Sequence, residues 1–240
     1  MGINLGYWKI SVELEQMSKY LNLVQNSFDQ HLSEIDAAYH KDLELEMDAD
    51  EAARMEDYYL DAYLEAGRDF PRLLLLSFIM TWYSFVEQEL IELCSRLKLS
   101  ISVGPKDSEY FDKGIWRVRK FLLKTKGYEI DSNSWQELVK IGKLRNTIVH
   151  KGKSLSCSYA KPEGKYVSYT NDDGITIYIS VEESLYLYLK KHNLIETPSP
   201  VFVDIVPTFD YCNYLVEFGK NLFKKLYEDL YKEKMVRVTR

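Results

Sequence analysis

The chain has 240 residues, 46% of them hydrophobic and 28% charged, and a net charge of −6. That length supports a sizeable core, and the composition excludes a disordered chain. The negative balance argues against a general nucleic-acid binder, and three dispersed cysteines (Cys94, Cys157, Cys212) argue against a disulfide framework or a CxxC-type zinc site.

Such cysteine usage fits a reducing, cytoplasmic compartment. Segment 1–10 is mixed and runs straight into an amphipathic pattern, so no signal peptide is expected. Charge is unevenly spread. Residues 34–65 hold 12 acids against 2 bases, and residues 111–153 hold 11 bases against 4 acids. The asymmetry fits a charged partner, and it fits equally two solvated surfaces that merely differ.

Leu14, Met17, Leu21, Val24, Phe28, His31 and Ile35 alternate steps of three and four, the seam of a long first helix. Within that seam His31 reads as a packed residue rather than a ligand. The acidic stretch 43–50 predicts a break, and a second helix follows over about 51–66. Asp69-Phe70-Pro71 predicts a capped helix start with proline in the first turn. That helix runs to about residue 97. Its apolar stretch 73–86 is too short to span a bilayer and reads as the buried centre, so no membrane is expected.

Val103-Gly104-Pro105 reads as a turn. The next helix, 114–126, is ended by Gly127, with apolar positions Ile115, Trp116, Val118, Leu122 and Leu123. Its charged face is basic: Lys113, Arg117, Arg119, Lys120, Lys124 and Lys126. Such a face can track a phosphate backbone; it also reads as an ordinary solvated helix face. Ser134-x-x-Glu137 has the form of a capping box, and Gly152 fits a helix C′ position, so the two frame a helix over 135–150.

Segments 154–159, 166–170 and 175–180 are rich in β-branched and aromatic residues, with turn sequences between them. They predict a small antiparallel β-meander. Ser180-x-x-Glu183 repeats the capping-box form before a short helix to about residue 191. Pro198, Pro200 and Pro207 punctuate an extended connector, and a last amphipathic helix covers about 209–234. The plan is one mainly α domain: acidic N-terminal helices (1–69), core helices (70–153), the β-insertion (154–180) and C-terminal helices (181–240).

One short motif carries chemistry. Arg145-Asn146-x-x-x-His150 joins a permanent cation to a side chain that moves protons near neutral pH. At about 100° per residue, with Arg145 as zero, Asn146 falls at about 100° and His150 at about 140°. Leu144, Ile148 and Ile141 fall between about 260° and 320°. The polar three therefore share one arc. Gly142, at about 60° on the same side, is costly in a helix and would admit another helix or a ligand. His150 lies in the last turn, where it can act as acid or base, and Arg145 can neutralise a phosphorane-like transition state. A structural alternative stays open, in which Arg145 pairs with a buried acid and His150 caps the helix end.

At these residues the chain resembles the HEPN superfamily, named for higher eukaryotes and prokaryotes nucleotide-binding. That family carries Arg-x(4–6)-His on a late helix of a helical bundle, often with a polar residue directly after the arginine. Arg145-Asn146-x-x-x-His150 matches this form, and Phe85-Val86-Glu87 resembles the aromatic-then-acid pattern of an earlier family helix. The resemblance covers roughly residues 70–153. It implies a HEPN-like helical bundle, here with the β-meander inserted, and a homodimer in which two Arg/His pairs meet in one cleft. It further implies metal-independent RNA cleavage by the ribose 2′-hydroxyl, without cofactor. Many prokaryotic members act as toxins or in antiviral defence, so an antitoxin or activator protein is an expected partner. In one toxin subgroup a tyrosine stands two residues after the histidine; Gly152 occupies that place here.

On this reading His150 is the general acid or base, Arg145 binds the scissile phosphate, Asn146 orients either, and Glu87 holds Arg145. Lys113, Arg117, Arg119, Lys120, Lys124, Lys143 and Lys151 are the expected RNA contacts. The acidic segment would cover a basic surface until a partner displaces it. Two other readings stand beside it: a non-catalytic HEPN-like module binding RNA, a nucleotide or a partner protein, and a helical interaction protein whose motif is accidental.

Overall fold

A computed structural model describes residues 5–97, 114–170, 174–196 and 202–237, with side chains to residue 231. Lys113, the turn at Val103-Gly104-Pro105, Pro198 and Pro200 lie outside the described residues. The fold is mainly helical with a small antiparallel sheet. In chain order the helices are α1 (Leu5–Asp42), α2 (Ala49–Leu64), α3 (Phe70–Arg96), α4 (Ile115–Lys126), α5 (Ser132–Lys151), α6 (Glu183–Lys191) and α7 (Phe209–Arg237).

The seam of α1 splits in two. Ile10, Leu14 and Leu21 enter the main core with Trp82, Leu215 and Phe223, whereas Ile35 joins a small second cluster with Tyr59 and Ala66. His31 is not packed in the seam; it is exposed, 3.8 Å from Glu34. The far half of α1 and α2 thus form a hairpin arm. Tyr59 Oη donates to Asp42 at 2.7 Å, and Tyr63 Oη donates to Asp36 at 2.8 Å. Asp48 caps α2 in a true capping box with Glu51. Among the described residues no ion pair joins this acidic arm to α4 or α5.

Asp69 does not cap α3. A five-residue π-helical segment, Glu65–Asp69, carries α2 directly into α3, and the Phe70 N–H reaches Glu65 O, five residues back. Pro71 explains it: its ring has no N–H for the carbonyl four residues back and would clash with it, and a widened turn relieves both. Asp69 instead pairs with Arg68 at 2.9 Å.

The strands are β1 (Ser154–Ser158), β2 (Val167–Thr170), β3 (Thr176–Ile179) and β4 (Phe202–Asp204), all antiparallel, in the order β2-β3-β1-β4. This is not the expected meander. β3 lies between β1 and β2, and β4 comes from the proline-punctuated connector. The sheet has a clear mechanical role. Arg72 on α3, only 5% exposed, donates from Nε to Ile205 O (3.0 Å), from Nη1 to Asp204 (2.8 Å) and from Nη2 to Lys153 O (3.0 Å). One buried guanidinium thereby ties α3, β4 and the chain just past α5 together.

Candidate functional site

The site is built on α5. Its apolar arc behaves as the periodicity predicts: Leu138, Ile141, Leu144 and Ile148 are buried. Its start differs, because Asp131 caps the helix by accepting from Ser134 N at 3.0 Å. Glu137 is drawn away by Tyr214, whose Oη donates to it at 2.7 Å. At the other end Gly152, with φ 73°, stops the helix, and its N–H bonds Ile148 O. The second expected capping box is absent too: α6 begins at Glu183 after Glu182, with no side-chain cap.

Gly142 is where α3 meets α5. A Cβ there would lie 2.7 Å from Tyr83 Oη, so only glycine lets Tyr83 lie across the helix. The same side of α3 carries Glu87 one turn on. Gly114 makes the matching allowance: it has φ 62°, and a Cβ would collide with the Glu87 carboxylate. These two glycines frame a groove of about 400 Å³ lined by Tyr83, Glu87, Gly114, Ile115, Trp116, Val139, Gly142, Lys143, Arg145 and Asn146.

Arg145 is half-buried in the groove wall. One Nη1 bond goes to Asn146 Oδ1 at 2.9 Å, and its Nε is buried with no partner. Among the described residues no ion pair joins it to Glu87, so Glu87 does not hold Arg145 by direct contact. The two act on Tyr83 in opposite directions. Burial, then the Glu87 charge, push the Tyr83 hydroxyl up to about 12, while Arg145 opposes them. Tyr83 is therefore neutral at physiological pH and keeps its proton to donate. Asn146 is exposed and turned to Arg145 rather than His150. His150 is exposed on the last turn of α5 and does not line the groove.

The expected basic contacts divide. Arg119 is occupied: it pairs with Glu129 at 2.7 Å and lies 4.8 Å over the Trp135 ring. Lys143 is bound by Glu182 and donates to Ser184 Oγ at 3.1 Å. Lys151 donates to Ser180 O at 2.8 Å. Arg117 is half-buried with an unpartnered Nε, and Lys120 and Lys124 are exposed. A continuous basic track along α4 and α5 is therefore broken by local acids and carbonyls.

Two larger hollows carry less chemistry. One, of about 450 Å³ beside the π segment, is lined by Asp29, Arg68, Arg72, Glu196 and Asp210, and both of its arginines are already paired within the chain. The other, of about 610 Å³ between α1 and α3, is lined mainly by apolar and hydroxyl side chains, with Glu13 its one charged group. Among the described residues no cluster of His, Cys, Asp and Glu is placed to hold a metal ion, and no helix is long and apolar enough to cross a membrane. Sequence reasoning missed Tyr83 and placed Trp116 on the apolar side of α4. The i, i+4 spacing of Tyr83 and Glu87, opposite a glycine in a helix, was the available signal. No protein-family model, curated protein or solved structure matches this chain.

Proposed function

We propose that the chain is a HEPN-type, metal-independent endoribonuclease that works as a homodimer. The observation that carries this reading is the placement of Arg145, a half-buried guanidinium that lines an open groove with no ion pair among the described residues, on the same helix arc as an exposed His150. In the reaction the ribose 2′-hydroxyl attacks the adjacent phosphate and loses its proton to a base. The 5′-oxygen leaves with a proton from an acid, giving a 2′,3′-cyclic phosphate and a free 5′-hydroxyl. Arg145 stabilises the charge that gathers on the phosphoryl oxygens, and histidine serves as base and acid.

One chain supplies one such histidine, so the site is half complete. A surface for a second copy flanks the groove. Every exposed position of α3, from Phe70 and Leu73 through Ser77, Thr81, Ser84 and Gln88 to Ile91 and Ser95, is uncharged. The Ser77, Thr81, Ser84 and Ser95 hydroxyls are turned back to carbonyls four residues earlier. This face asks for no polar partner, and Glu87 stands at its edge. Toxin or antiviral-defence biology, with an antitoxin or activator, is the setting this reading implies. A non-catalytic module binding RNA, a nucleotide or a partner is favoured instead by one observation: His150 does not line the groove within its own chain.

The test is RNA cleavage in EDTA by wild type, Arg145→Ala and His150→Ala. Cleavage by wild type alone, with each variant slower by about 100-fold or more, supports the nuclease. Equal cleavage by all three removes the mechanism, and no cleavage by any of them moves the assignment to the binding module.

A further inference from the structure

The groove has an aromatic wall that the Arg/His motif does not account for. Trp116 is 48% exposed and lines the same groove as Arg145. Burying an indole is strongly favourable, so a half-open tryptophan at a groove mouth is a notable placement. It is also fixed. Its ring stands 4.8 Å from the buried Trp135 ring at 82°, and the Arg119 guanidinium sits over Trp135 in turn. Arg119, which cannot track phosphates while paired with Glu129, thus serves to brace this wall.

The same groove is lined by Arg145, which has no ion pair among the described residues, and by Asn146. The neutral Tyr83 hydroxyl lies over Gly142 in the same groove, within the electrostatic reach of both Arg145 and Glu87. We propose that the groove seats one nucleotide of single-stranded RNA, with its base stacked on Trp116 and its phosphate against Arg145. This rests on the reading of the groove as an RNA site and adds the side chain that holds the base. A base inside a duplex has both faces covered by its neighbours, so only an unpaired base can present one to an indole. The volume, about 400 Å³, suits one nucleotide rather than a helix.

The test uses RNA with 2′-fluoro riboses, which cannot be cleaved by 2′-hydroxyl attack. 2-Aminopurine is placed at successive positions, and binding is measured to wild type, Trp116→Ala, Trp116→Phe and Arg145→Ala. Trp116→Ala should weaken single-strand binding about 10- to 100-fold, the range for losing one base–aromatic stack. Trp116→Phe should recover most of it. At one position the probe should be quenched by wild type and by Trp116→Phe but not by Trp116→Ala. A duplex of the same sequence should bind at least 10-fold more weakly than the single strand. If Trp116→Ala binds like wild type while Arg145→Ala is weakened, the stacking proposal is wrong and the RNA reading stands. If wild type binds neither single strand nor duplex, the RNA reading falls and takes this proposal with it.

Discussion

Two arginines on neighbouring helices show opposite uses of the same side chain. Arg72 on α3 is almost fully buried, and three of its nitrogens donate to Asp204, Ile205 O and Lys153 O. Arg145 on α5 is half-exposed, makes one bond to its own neighbour and leaves its Nε without a partner. A guanidinium bonded to three distant groups ties elements together; one bonded only to its own neighbour beside a groove is available to an incoming anion. The two are also coupled, because the Arg72 clamp fixes the chain at Lys153, directly after the turn that carries His150.

The largest expected effect comes from breaking the clamp. Arg72→Ala removes the cation paired with Asp204 and the donor to Ile205 O, while Asp204 keeps only Ser154 and Lys153 O keeps only the Ile205 N–H. Urea unfolding should show a loss of about 3–5 kcal/mol. Arg145→Ala should cost under about 1 kcal/mol, mostly from its packed stem, while abolishing cleavage. Equal stability losses would erase the distinction between the two arginines and make Arg145 a structural residue.

Gly142 tests the groove floor. Its missing Cβ is the space occupied by Tyr83 Oη, at 2.7 Å, with ring carbons at 3.1 and 3.2 Å. Gly142→Ala removes a helix-weakening glycine, a gain of about 1 kcal/mol, but overpacks a helix crossing, a loss of about 1–3 kcal/mol. A net loss of about 1 kcal/mol or more in urea unfolding is expected. In the double variant with Tyr83→Phe part of the loss should return, because the closest atom is gone. No recovery would mean that α3 and α5, rather than Tyr83, absorb the clash.

These residues also mark how far the sequence could be read. The apolar arc of α5, its stop at Gly152 and the oddity of Gly142 were legible, because helical periodicity and glycine cost are local. Arg145, Asn146 and His150 were legible as a polar arc for the same reason. The choice of partner was not. Ser134 and Glu137 have the spelling of a capping box, yet Asp131 makes the cap and Tyr214 engages Glu137. Lys143 looks like a phosphate contact until Glu182, 39 residues later, closes on it. The sheet order failed likewise, since β1 could pair with β2 or β3 and the pattern of alternating residues suits either. Local rules place a side chain on a face; what waits there comes from distant chain, and a single sequence does not show it.

The smallest effect sharpens the same contrast at Lys143. Lys143, Ser184 and Lys165 all donate to Glu182, and together they hold its carboxyl down at about 2 against an ordinary 4.5. An acid held low in the folded protein adds stability that is complete above the unfolded value and is lost as pH falls through the folded one. The Glu182 contribution should therefore be intact above about pH 5 and fade from about 4.5 toward 2. Both lysines are partly solvated, so screening leaves about 1 kcal/mol at most. Thermal unfolding of wild type and Glu182→Gln should differ by a few degrees at pH 7, and the two should converge below pH 4. At pH 7 the variant should also bind single-stranded RNA slightly more tightly, because Lys143 lines the groove and would lose the acid that occupies it. Unchanged or weaker binding would mean that the Lys143 ammonium, once released, turns away from the groove, leaving Arg145 as its working cation.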